Sequence, residues 1–212
     1  MQLYLVRHGQ SQANVDATCR VIDCNLTETG QRQAEAVAAE LAYRGIDQVL
    51  SSPYVRTLHT AREIVRATGA SAEVLLGLHE HHMSAFAETW PLQTRAELAF
   101  NYPEFTLPDD MEEMGWHTPP ESMEVILNRM AGVLQSLRER YANIGHTRVA
   151  LVSHATPIQQ FIRAARPSGI PGTSSIVPAI DNASISLIDV QYDSIDIVFV
   201  NQTEHLRVPA VL

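Results

Sequence analysis

Gln2-Leu3-Tyr4-Leu5-Val6-Arg7-His8-Gly9-Gln10-Ser11 is the stretch on which the reading of this 212-residue chain turns. Gln2 to Val6 reads as a short apolar strand, and it is cut off at once by Arg7-His8-Gly9. Thr27 to Tyr43 carries Ala34, Val37, Ala38, Leu41 and Ala42 at helical spacing and is closed by Gly45. A second strand is expected at Ile46–Leu50. Pro53 then suits the first turn of a helix running to about Thr68, with Gly69 as its stop. A weaker strand is expected at Glu73–Leu76 and a strong amphipathic helix at Met123–Tyr141. Arg148–Val152 reads as a fourth strand, with a helix from Pro157 to about Ala165. A Pro-, Gly- and Ser-rich loop at 166–178 leads to two final strands, Ile185–Val190 and Ile195–Val200.

Strands that alternate with helices imply an α/β three-layer sandwich, with a mostly parallel central sheet covered on both faces. Residues 83–120 break the alternation. They hold Pro91, Pro103, Pro108, Pro119 and Pro120 and both tryptophans, too many large apolar groups for a solvated tether. They are read as a lid insertion within a single domain spanning 1–212. Phe86, Trp90, Phe100, Tyr102, Phe105 and Trp116 either meet an uncharged or apolar part of a substrate or form a small core under the lid.

Hydrophobic residues make up 45% of the chain, enough for one substantial core. No apolar run nears the roughly 18 residues of a membrane helix, and the four apolar residues before Arg7 are too few for a leader. Cys19 and Cys24 fit neither a disulfide framework nor a zinc pattern, so a cytoplasmic protein is expected. The net charge is −9 with no basic run, against nucleic acid and anionic membranes as partners. All 15 basic residues are Arg, so an anion site must be built from Arg, His and backbone amides.

Ligands of open α/β sheets bind beyond the carboxyl ends of the strands. Those ends carry Arg7-His8, then Ser51-Ser52-Pro53 with Arg56, then His79-Glu80, then Ser153-His154. Arg forks match phosphate oxygens. A neutral imidazole can attack phosphorus, a second can stabilise the developing charge, and a carboxylic acid can protonate a leaving alkoxide. Together these parts make metal-independent phosphoryl transfer. His79, Glu80, His81 and His82 also form a dense cluster that suggests a metal site. Their spacing is not H-E-x-x-H, however, and on a strand His79 and His81 would face away from Glu80 and His82, so no metal is expected.

Leu5-Val6-Arg7-His8-Gly9-Gln10-Ser11 resembles the signature of the histidine phosphatase superfamily, the phosphoglycerate-mutase-like enzymes. The resemblance continues through Asn14, Leu26-Thr27-Glu28-Thr29-Gly30, Ser51-Ser52-Pro53 with Arg56, and Leu78-x-Glu80. It resumes at Glu121-Ser122, Val152-Ser153-His154 and Asn182-Ala183-Ser184-Ile185. It implies His8 as the transiently phosphorylated nucleophile and Glu80 as proton donor. Arg7, Arg56 and His154 would hold the phosphate, helped by Asn14 and the backbone amide of Ala155. No cofactor is implied, and the partner is a small phosphorylated substrate; whether the chain is a homodimer is left open. The chain departs from the family at three places. His81-His82-Met83-Ser84-Ala85-Phe86 replaces a frequent Gly-x-Trp-Glu-Gly stretch, Ala155 follows the second His where Gly is common, and Pro120 precedes Glu121 where Gly is usual.

The expected activity is hydrolysis of a small phosphomonoester. A mutase on the same intermediate and a non-catalytic phosphate-binding module are the alternatives. A mutase must also hold the substrate carboxylate and a bisphosphate, yet residues 83–121 offer only Arg95 against eight acidic residues from Glu88 to Glu121.

Overall fold

The computed structural model describes residues 1–16, 19, 23–81, 93–113, 120–141, 144, 146–166 and 177–207. The strands are β1 (Gln2–Arg7), β2 (Gln48–Ser51), β3 (Ser71–Val74), β4 (Phe105–Thr106), β5 (Arg148–Ser153), β6 (Ile185–Val190) and β7 (Ile195–Gln202). The helices are α1 (Gln12–Val15), α2 (Glu28–Ala42), α3 (Val55–Thr68), α4 (Arg95–Asn101), α5 (Met123–Tyr141) and α6 (Ala155–Ala165). The seven strands form one sheet in the order β4-β3-β2-β5-β1-β6-β7. Pairing is parallel from β4 through to β1, and antiparallel at β1–β6 and β6–β7.

The side-chain period of β1 explains the three layers. Tyr4 and Val6 join one core with Val37, Leu41, Leu58 and Ile64 of α2 and α3. Leu3 and Leu5 point the other way, into a second core with Ile126, Met130, Leu134, Ile158 and Phe161 of α5 and α6. A strand buried on both faces must be apolar throughout, and Leu3 to Val6 is.

Several expected boundaries move. The second strand starts at Gln48, because Ile46 is buried without pairing. The third runs Ser71–Val74, and Leu76 enters a 3-10 turn, Leu76–Leu78, instead. Pro53 lies outside α3, whose N-cap is Tyr54, while Gly69 closes that helix in the left-handed conformation at φ 70°. The last helix begins at Ala155, with Pro157 inside its first turn. From the insertion, 93–113 continues the alternation rather than breaking it: α4 is capped by Thr94 and Glu97, and β4 adds a parallel edge strand. Tyr102 and Phe105 are buried in the α2–α3 core and Phe100 is 85% exposed, while Phe86, Trp90 and Trp116 lie outside the described residues. Among the described residues, no helix is long and apolar enough to cross a membrane.

Candidate active site

The register of the sheet assembles the site. Arg7 pairs with Ser153 and Ser51 with Val152, so His8, His154 and Ser52 emerge side by side beyond three adjacent parallel strands. The His8 amide donates to Ser153 O at 3.0 Å, and the Ser52 amide to Val152 O at 3.0 Å. The rings of His8 and His154 meet edge to face with centroids 5.1 Å apart, and both residues are buried.

His8 Nδ1 lies 2.7 Å from the carbonyl oxygen of Gly9. A carbonyl only accepts, so Nδ1 carries the hydrogen and Nε2 keeps its lone pair. Burial, and then the cations Arg56 and Arg7, push the His8 pKa well below its ordinary value. His154 is pushed down in the same way by burial, Arg56, His8, His79 and Arg7. Both rings are therefore neutral near pH 7. His154 Nε2 lies 2.9 Å from Ser52 Oγ, while its buried Nδ1 has no hydrogen-bond partner among the described residues.

The loop after β1 can turn only because Gly9 and Gly30 press backbone against backbone. A Cβ on Gly9 would sit 2.3 Å from Gly30 O, and one on Gly30 would sit 1.9 Å from Gln10 O. The Gly9 amide donates to Thr60 Oγ1 at 3.1 Å, and that hydroxyl donates to Arg56 O at 2.8 Å, joining the loop to α3. On the other side, the amide of Ala183, held at φ 57°, is shared by the carbonyls of Arg7 and His8 at 3.0 and 3.1 Å. Asn182 Nδ2 donates to His8 O and to Asn14 Oδ1, each at 3.1 Å. Thr60 and Asn182-Ala183 thus fix the main chain around His8. Residue type alone gave neither of them a role.

Arg7 Nη1 donates to Ile180 O at 2.6 Å. Burial lowers the Arg7 pKa, Glu80 and Asp181 oppose that shift, and Arg56 adds to it, so these charges share one neighbourhood. Arg56, in the first turn of α3, lies 4.3 Å over the Tyr54 ring and is 7% exposed. Ser153 Oγ donates to Leu78 O at 2.7 Å, bringing the 3-10 turn and Glu80 under the site. Glu80 Oε2 then lies 3.9 Å from His154 Nδ1. Ala155 opens α6 behind His154, where an N–H group has no partner inside its own helix.

The chain matches the family model of the histidine phosphatase superfamily, branch 1, over residues 3–203. It belongs to that superfamily. Among curated relatives, phosphoserine phosphatase 1 of Hydrogenobacter thermophilus is 31% identical over 97% of this chain and 94% of its own length. A probable phosphoglycerate mutase, GpmB, of Proteus mirabilis is 30% identical over 90% and 86%. The solved structure of a mycobacterial glucosyl-3-phosphoglycerate phosphatase with VO3 shares the fold, with a TM-score of 0.69, 23% identity and coverage of 95% and 99%.

Within this member of the superfamily, Arg7, His8, Arg56, Glu80 and His154, all picked out from the sequence, converge. Asn14 sits at the edge, where its Oδ1 accepts from Ser11 N, Ser11 Oγ and Asn182. His79 and His81 lie on a loop rather than a strand, and His82 is outside the described residues. No metal-binding group of three or more His, Cys, Asp or Glu forms among the described residues.

One half-buried acid escaped the sequence reading. Asp23 Oδ1 accepts the Val55 amide at 2.7 Å, at the start of α3. Burial raises its pKa from 3.8 to about 6, against the pull of Arg56 and that hydrogen bond. The unfolded chain releases this proton first as pH rises. The stability tied to protonated Asp23 is therefore full below pH 3.8 and is lost as pH climbs to about 6, roughly 2–3 kcal/mol in all. Asp23→Asn keeps an acceptor for Val55 and removes the partly desolvated charge. It should raise Tm by several degrees at pH 8 and much less at pH 4.5. Equal shifts at the two pH values in thermal melts would contradict the assignment.

Proposed function

We propose that the chain is a phosphatase that hydrolyses a small phosphomonoester through a phosphohistidine on His8. The observation that carries this reading is the Nδ1 bond of His8 to Gly9 O. It leaves Nε2 as a neutral nucleophile among Arg7, Arg56 and His154. In this reading the two guanidiniums, the Ala155 amide, His154 and the Asn14 amide bind the phosphoryl oxygens and stabilise charge in the transition state. Glu80 protonates the leaving oxygen and then takes a proton from the attacking water.

Hydrolysis is preferred to mutase chemistry because the insertion brings almost no positive charge. Its Arg95 braces that segment, donating to Pro108 O with Glu113 at 3.9 Å. The argument from its acids is narrower than the sequence suggested, because Glu104 pairs with Arg62 and Glu121 with Arg129. The likeness to phosphoserine phosphatase 1 supports hydrolysis and makes O-phosphoserine the first substrate to test. The likeness to GpmB favours the mutase alternative.

One assay separates the two. The enzyme is given O-phosphoserine, and separately 3-phosphoglycerate with a trace of bisphosphate. Phosphate release outpacing any isomerisation is expected; rapid formation of 2-phosphoglycerate with little free phosphate would reverse the reading. Glu80→Gln should lower kcat/KM for alkyl phosphates by about 10²-fold and spare kcat/KM for aryl phosphates, whose leaving groups need little protonation in the first phosphoryl transfer. Equal losses on both would remove Glu80 from the role of acid.

A further inference from the structure

Glu80 does not stand alone. Its Oε1 accepts two hydrogen bonds from the residue that follows it: the His81 amide at 3.0 Å and His81 Nδ1 at 3.2 Å. Its other oxygen, Oε2, is the one near His154 Nδ1. The carboxyl group is thus held with one oxygen on an imidazole and the other toward the phosphate-binding ring. His81 is part of the segment where the sequence leaves the family pattern, so the pair is a feature of this chain's own residues.

The surroundings favour a proton on this pair. Glu121, from the segment before α5, raises the His81 pKa together with Glu80, and Arg129 of α5 lowers it. Most of that opposing charge is tied down. Arg129 holds Glu121 side-on, Nε donating to Oε1 at 2.8 Å and Nη2 to Oε2 at 2.6 Å, while its Nη1 donates to Gly77 O and His79 O. The same contacts anchor the turn that carries the pair. His79 turns its Nδ1 to Glu80 O at 2.8 Å, and His154 faces the pair from the start of α6. The net effect is an His81 that binds its proton more tightly than a free imidazole does, with Glu80 as the main cause. The side chain is 16% exposed, enough to exchange a proton with solvent.

We propose that His81 and Glu80 form a proton-sharing pair, in which His81 recharges Glu80 as the acid for the leaving group. The inference rests on Glu80 being that acid. In the first half-reaction the phosphoryl group moves to His8 Nε2 as its bond to the leaving oxygen breaks. The proton passes from His81 Nδ1 to Glu80 and from Glu80 to that oxygen, leaving a neutral imidazole and a carboxylate. In the second half-reaction water attacks phosphorus and the P–N bond breaks. The proton lost by water returns through Glu80 to His81, so the pair ends as it began. A carboxyl group in water is without its proton above about pH 4, whereas an imidazole holds one to about pH 6.5. The partnership therefore extends acid catalysis toward neutral pH.

The test is a pH profile of kcat/KM for His81→Asn, with β-glycerophosphate as the alkyl substrate and p-nitrophenyl phosphate as the aryl one. Asn can still donate to Glu80 but cannot carry the proton. The alkaline limb on the alkyl substrate should move down by about one pH unit or more, a loss of roughly tenfold at neutral pH. The aryl profile should stay in place, and Tm should match the parent. Superimposable alkaline limbs, or an equal loss on both substrates at every pH, would overturn the proposal. Glu80→Gln is run in parallel to tell two failures apart. Equal losses there remove the acid itself, and this pair with it. A selective loss there with a parental His81→Asn removes only the pair.

Discussion

His8→Ala should abolish turnover, by about 10⁴-fold or more, because the two-step route has no other nucleophile to carry the phosphoryl group. The loss should not come from unfolding. The bonds that fix residue 8 run through its main chain: its amide to Ser153 O, and its carbonyl to Ala183 N and Asn182 Nδ2. Alanine keeps all three. Circular dichroism should therefore be unchanged while activity on aryl and alkyl phosphates disappears together. Mass spectrometry of enzyme quenched rapidly in alkali, where a P–N bond survives, should find phosphate on His8 and none on His154. His154 Nε2 is engaged with Ser52 Oγ, and its other nitrogen lies against Glu80. Phosphate on His154 instead would exchange the two roles.

The second large effect is expected at Arg56. Arg56→Lys keeps the charge but loses the planar fork, and kcat/KM should fall by about 10²-fold. The guanidinium is stacked on Tyr54 and buried, so the shorter-reaching ammonium would lose both the stacking and the paired donors. Inhibition by orthovanadate should weaken in parallel, since the same donors meet both anions. Arg7→Lys should behave alike and lose the bond to Ile180 O as well. Full activity in Arg56→Lys would put that residue outside the site.

Much of this could be read from sequence because the informative residues stand where the chain has no freedom. Leu3 to Val6 must be apolar on both faces, and the first polar residues after such a strand reach the sheet edge where ligands bind. Arg7, His8 and His154 were visible for that reason. Boundaries blurred where apolar side chains pack without pairing, as at Ile46 and Leu76. The two-residue strand Phe105–Thr106 is too short to show any period. The contacts of Asp23 and Thr60 were hidden for another reason. Their partners, Val55 and Gly9, lie 32 and 51 positions away in sequence, and only the folded chain brings them together. His81 was seen as one of a run of histidines, and only its contact with a single carboxylate oxygen singles it out.

The strand order has a consequence for how the protein comes into being. β5, formed by residues 148–153, lies between β1 and β2, which are otherwise not neighbours. A chain emerging from the ribosome therefore finishes its first two strands long before the strand that joins them exists. Until then both edges expose unpaired amides and carbonyls, an invitation to non-native partners. The same strand delivers His154, so the slot closes and the second histidine arrives in one event. An incompletely made copy can display His8 but cannot surround it. The site proposed here is thereby left unfinished until the sheet is whole.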